Sequence, residues 1–170
     1  MQLIDWQYHE KLIWSPVVDN NFIYDTPQNI RKEEKFEKVS LVLGLNRNEG
    51  ASSLELMMAN TFGPATSAEN GVNSSQFKTL LKNFAEARHE RKETADLVAD
   101  ALEFQYTPWT EEDDGFALRN KLIDLIGDYF YVVPTMKSQS STVTSPPVYL
   151  YEFTHRSRES QQLGVTRSDN

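Results

Sequence analysis

The chain has 170 residues, of which 39% are hydrophobic, 25% charged and 11% aromatic, values ordinary for one globular domain and unlike those of collagen-like, coiled-coil or wholly disordered chains. Lys and Arg number 17 against 25 Asp and Glu, a formal charge of −8. A pI near 4.9 argues against an electrostatic grip on nucleic acid or an anionic membrane, both of which want clustered cations.

Cysteine is absent, which removes disulfides, thiolate catalysis and Cys-based zinc or iron–sulfur sites without fixing the compartment. No apolar run approaches the ~20 residues that span a bilayer. The opening MQLIDWQYHEK lacks the basic start and apolar core of a signal peptide, so neither a signal peptide nor a transmembrane segment is expected in this sequence.

Residues 1–38 read as loop-rich. Trp14, Val17, Val18, Phe22, Ile23 and Tyr24 are apolar without helical spacing, while Pro16, Pro27 and the Asp19-Asn20-Asn21 cluster are turn signals. Residues 29–37 have room for a helical turn or two. Val39 to Leu45 is a short, partly β-branched apolar run bounded by a polar turn, NRNEG at 46–50, and predicts a buried strand. A short helix is expected over about 51–59, then a surface loop over 60–75. That loop ends in Asn73-Ser74-Ser75, an N-glycosylation sequon usable only if the protein is secreted.

Three amphipathic helices follow. Phe77, Leu80, Leu81 and Phe84 sit at i, i+3, i+4 and i+7. Thr94, Leu97, Val98, Ala101 and Leu102 repeat that spacing. Leu118, Leu122, Ile123, Leu125, Ile126 and Tyr129 mark the third, with Asp114 as its expected N-cap. The acidic run Glu111 to Asp114 reads as charge that favours the positive end of the helix dipole, since it lacks the spaced ligands of a calcium loop. Pro134 should break or restart the helix, and 138–147 form a polar connector. Val148 to Thr154 predicts a second strand, buried on at least one face, and the tail from Arg156 reads as loop or disorder.

Strand, helices, strand is an α/β order and favours a parallel pair with a right-handed crossover. Two strands leave both edges open, so the chain reads as part of a larger α/β domain with two core strands and intervening helices. No P-loop, H-E-x-x-H, G-x-G-x-x-G or G-x-S-x-G occurs, and Gly50-Ala51-Ser52-Ser53-Leu54 falls one residue short of the last. His9, His89 and His155 lie far apart, none with a metal-ligand partner three or four residues away. Glu49 is singled out by position, on a tight turn after the first strand. Catalytic groups gather at the carboxyl ends of strands in α/β sheets, and unspecialised solvated carboxylates gather on loops, so the pattern admits both readings.

Four segments carry a family resemblance: WSPVVDNNFIYDTP (14–27), LVLGLNRNEG (41–50), DYFYVVPT (128–135) and PVYLYEFTHR (147–156). In order and approximate spacing they resemble the type-B carboxylesterase and cholinesterase family, which includes the catalytically silent neuroligins. The stretches NGVNSSQFKTLLKNF (70–84) and EFQYTPW (103–109) look most like neuroligins and invertebrate carboxylesterases.

The resemblance implies an α/β-hydrolase fold, with residues 1–156 as part of the domain and 157–170 as a polar tail. It implies that Glu49 is the acid of a Ser–Glu–His triad, followed by Gly50, and that the serine and Gly-rich oxyanion loop lie upstream of Met1. The histidine is expected in a motif resembling H-G-D-E. Arg167-Ser168-Asp169-Asn170 matches that outline with Arg167 where His belongs, or the tail is unrelated sequence. On either reading no catalytic histidine is present, and an Arg, with a pKa above ~12, cannot take the serine proton.

The implied function is carboxylic ester hydrolysis in an intact parent, with this chain inactive alone. The alternative is part of a non-catalytic, neuroligin-like adhesion protein. The partners implied are a small-molecule ester in the intact parent, no nucleic acid, and a protein partner if the parent is neuroligin-like. No cofactor or metal is implied, since the serine mechanism needs none. Family members are commonly secreted or membrane-anchored, yet neither a signal peptide nor a transmembrane segment is expected in this sequence.

Overall fold

The computed structural model describes residues 16–57, 71–140 and 146–155. In chain order these hold α1 (Pro27–Lys32), β1 (Leu41–Asn46), α2 (Gly50–Met57), α3 (Ser74–Glu86), α4 (Lys92–Tyr106), α5 (Gly115–Gly127), a π-helical turn (Asp128–Val132), α6 (Val133–Ser140) and β2 (Val148–Phe153).

The turn expected at 19–21 is built by one side chain. Asp19 Oδ1 accepts from the N–H groups of Asn21, Phe22 and Ile23, and those bonds hold its carboxyl below the usual carboxylate range. Asn20 takes the left-handed backbone that the turn needs, at φ 59°. Pro27 opens α1 behind Thr26, whose hydroxyl caps the helix.

Helix α5 begins behind Asp114, the expected cap, and α3 carries a cap of its own. Asn73 and Gln76 form a reciprocal capping box on α3. Asp114 Oδ1 accepts from Phe116 N at 2.8 Å and Ala117 N at 3.3 Å at the start of α5. Asp114→Ala should lower stability by about 1 kcal/mol in chemical denaturation, and Asp114→Asn should recover most of that loss.

The core is helical. Phe77, Leu80, Leu81 and Phe84 of α3 pack with Leu118, Leu122, Ile123, Leu125 and Ile126 of α5, with Ala51 and Leu54 of α2, and with Val72. Helices α3 and α4 run antiparallel, as the ion pairs Lys78–Glu103 and Lys82–Asp96 require. The second apolar set is corrected in part: Thr94, Val98 and Leu102 are half-buried, but Leu97 and Ala101 are exposed, so α4 is turned slightly from the expected face. It buries Ala95, and half-buried Leu102 and Tyr106 pack against the cluster, while Leu97 is 71% and Phe104 74% exposed.

Pro134 restarts the helix rather than ending it. Val133 N–H donates to Asp128 O, five residues back, and the widened turn makes room for a proline that lacks a donor of its own. Tyr129, expected in the core stripe, lies in this turn, edge-on to Phe84 with ring centroids 5.1 Å apart.

The two strands pair in parallel, Leu41 opposite Val148 through Asn46 opposite Phe153. Their expected burial is corrected. Leu41, Leu43 and Leu45 are only half-buried, and every residue of β2 after Val148 is exposed. No strand residue belongs to the core cluster. Among the described residues the layer has no third strand and no helix packed closely across it, so β1 is only half-covered on one face and β2 is left open. The expected loop at 60–75 lies mostly outside the described residues, and α3 has begun by Ser74. No described helix is long and apolar enough to cross a membrane.

Candidate active site

Strand β1 ends at Asn46, three residues turn, and α2 starts at Gly50. Glu49 is the last residue of that turn and is half-buried. Its Oε1 accepts from Asn46 N at 2.8 Å and from Asn46 Nδ2 at 3.0 Å. The carboxylate is thereby tied back to the strand end. Its second oxygen, Oε2, accepts from no donor among the described residues and is left open to one.

Close backbone packing pins the far side of the turn. A Cβ on Gly50 would overlap the Ile123 carbonyl oxygen and come within 2.6 Å of Gly127 N, so α2 starts directly on the backbone of α5. Gly127 leaves the matching space on α5. One turn further along α2, the buried Ser53 hydroxyl shares a 2.8 Å hydrogen bond with Tyr131 OH of the π-helical turn. The direction of Glu49 is therefore fixed from both sides of its short turn.

Beside Glu49 lies an open cleft of about 300 Å³, with Asn46, Arg47, Tyr106, Lys121, Asp124 and Asp128 in its lining. A second cleft of about 410 Å³ shares Arg47, Lys121, Ile123 and Asp124 with it, so the two form one trough at the carboxyl end of β1. Tyr106 OH donates to Asp128 Oδ2 at 2.8 Å, and Lys121 Nζ pairs with Asp124 Oδ2 at 2.8 Å.

Burial, with the Asp128 carboxylate beside it, pushes the Tyr106 phenol well above its usual range. An unfolded Tyr ionises near pH ~10 while the folded one holds its proton, so this contribution to stability is intact below ~10 and falls as pH rises further. Tyrosinate absorbance and denaturation midpoints above that pH measure the loss, and Tyr106→Phe should flatten it.

Tyr106 and Asp128 were not singled out in the sequence. Their signal lay in EFQYTPW and DYFYVVPT, two stretches that carried the resemblance and that meet here beside LVLGLNRNEG. His89 is half-buried in the loop between α3 and α4, and His155 is exposed after β2. Neither lines the trough. His9 and Arg167 lie outside the described residues. No group of three or more His, Asp or Glu capable of holding a metal ion occurs among the described residues, the acidic run at 111–114 included.

A model of the carboxylesterase family matches residues 1–170. Human neuroligin-2 is 27% identical over 150 residues, which is 88% of this chain and 17% of that protein. Mouse neuroligin-3 is 26% identical over the same length, 88% of this chain and 17% of its own. Acetylcholinesterase of Myxine glutinosa is 30% identical over 142 residues, 83% of this chain and 39% of that protein. The chain thus spans well under half the length of each of these relatives.

Proposed function

The chain belongs to the carboxylesterase family, and from that premise we propose that Glu49 is the acid of the family's Ser–Glu–His triad, on a portion of an α/β-hydrolase domain that hydrolyses no ester alone. The observation that carries this reading is the carboxylate itself. Asn46 holds one of its oxygens at the strand end, and the other meets no donor among the described residues. A histidine that donates Nδ1–H to that oxygen keeps Nε2 free to take a serine proton, and the carboxylate stabilises the imidazolium that results. The serine, the histidine and the oxyanion donors are supplied by other parts of an intact parent. No G-x-S-x-G occurs in these 170 residues.

The open sheet supports the incomplete-domain reading. Among the described residues both strands lack further neighbours, and Val42, Tyr149, Tyr151 and Phe153 are exposed. Residues 1–156 are then part of the hydrolase domain and 157–170 a tail. The substrate of the parent is a small carboxylic ester.

The test is an assay of the purified 170-residue chain on a chromogenic short-chain ester, beside Glu49→Gln. No turnover above buffer is expected from either. Turnover lost in Glu49→Gln would overturn the claim that the chain is inactive alone. A second reading, a non-catalytic neuroligin-like parent that binds a protein partner, is favoured by neuroligin matches that cover 88% of the chain. The coding sequence of the parent decides between them: Ser at the centre of G-x-S-x-G supports the esterase, and Gly or Ala there supports the adhesion protein.

A further inference from the structure

We propose that Asn73 is an N-linked glycosylation site, and that a glycan there leaves the start of α3 intact. Asn73 is the only asparagine in the sequence followed two positions later by Ser or Thr. Such transfer needs a reachable side-chain amide nitrogen and a hydroxyl two residues on. Asn73 and Ser75 are both exposed, and Asn73 has extended backbone, φ −79° and ψ 159°.

The atoms used by the fold and the atom used by the chemistry are different. Asn73 Oδ1 accepts from Gln76 N at 2.9 Å, and Asn73 N donates to Gln76 Oε1 at 3.0 Å. Nδ2 has no acceptor among the described residues. In the transfer, Nδ2 attacks the anomeric carbon of an oligosaccharide carried on a lipid pyrophosphate. A C–N bond forms and the C–O bond to the pyrophosphate breaks. The lipid pyrophosphate leaves with the electron pair, and Nδ2 gives up one proton. The product is still an amide, so Oδ1 remains an acceptor for Gln76 N.

Among the described residues, the neighbours of Asn73 are engaged elsewhere and leave its side chain exposed. Ser74 Oγ turns away to donate to Glu112 O at 2.9 Å, fixing the junction against the loop before α5. Val72 N donates to Gly115 O at 2.9 Å, with Gly71 against the Gly115 backbone. None of residues 71–75 lines the trough beside Glu49, so a glycan at this corner does not obstruct it.

The test is translation of the full chain behind a cleavable secretory leader in the presence of microsomes, with protease protection to prove entry into the lumen. One upward step in gel mobility is expected, removed by peptide N-glycanase with conversion of the asparagine to aspartate. Ser75→Ala and Asn73→Asp should abolish the step, and Ser75→Thr should keep it. A protected chain with no step, or a step that survives Asn73→Asp, overturns the site; this arm does not need the chain to fold. For the second half of the claim, Asn73→Asp is the reference, since it keeps the cap without a sugar. The secreted glycoform should melt no lower than that variant and protect the Gln76 amide from exchange equally. A lower midpoint with a faster Gln76 exchange shows that the glycan breaks the cap.

Discussion

Gly50→Ala should be among the most damaging single-methyl additions available in this chain. The new Cβ meets backbone on two sides, the Ile123 carbonyl oxygen and Gly127 N, and neither can swing aside. Overpacking costs about 1–3 kcal/mol where side chains can adjust, so a contact with only backbone belongs at or above the top of that range. The relief available is to lift α2 off α5, which also displaces Glu49. Two measurements read this out. The denaturation midpoint falls, and the Asn46 amide resonance moves, because Asn46 N–H is the donor to Glu49 Oε1. Gly44→Ala is the control. Its Cβ would overlap Tyr151 Cζ just as closely, but the far end of that exposed ring on the neighbouring strand can swing into solvent. The cost there should stay below about 1 kcal/mol, offset by the lower entropy that Ala loses in a strand. Equal losses in the two variants would mean that the α2–α5 contact is not rigid.

Phe77→Ala should cost about 3–5 kcal/mol by removing a ring that is 1% exposed and leaving a cavity between α3, α5 and α2. Against the 5–15 kcal/mol typical of a whole domain, that loss should shift the thermal transition by many degrees or erase its cooperativity. Phe104→Ala removes the same ring from the outer face of α4, where it is 74% exposed, and should stay within about 0.5 kcal/mol. The pair tests the rotation of α4 directly. If Phe104→Ala proved as costly as Phe77→Ala, the outer face of α4 would be a buried one.

The helices were legible because their signals are local. Four apolar residues at i, i+3, i+4 and i+7 name the buried face of α3, and Asp114 names the start of α5 through bonds that reach only two and three residues. The turn at Asp19 belongs to the same class, since its acceptor and its three donors all lie within five residues. The face of α4 was misjudged for the opposite reason. Leu97 and Ala101 fit a helical period with Leu102 as well as Ala95 does, and only packing against α3 chooses between them. The strands carry apolar residues suited to burial, but a side chain is buried by what lies over it, and nothing among the described residues lies over β2.

Glu49 was singled out by its place after a strand and by the family resemblance, and both features are contiguous in the chain. Its surroundings were not. Tyr106, Lys121 and Asp128 lie 57 to 79 residues further along the chain, and no periodicity brings them to one trough. Sequence by itself determined the α/β order, the parallel strand pair, the positions of the helices and the one carboxylate on its turn, because hydrogen bonds within a helix and turns within a few residues are set by neighbours. Only the tertiary structure decided which face α4 turns inward, that Gly50 rests on the backbone of α5, and that Asn46 holds one oxygen of Glu49. Those outcomes depend on atoms meeting across space, where a single Cβ or a small residue sets how closely two helices approach.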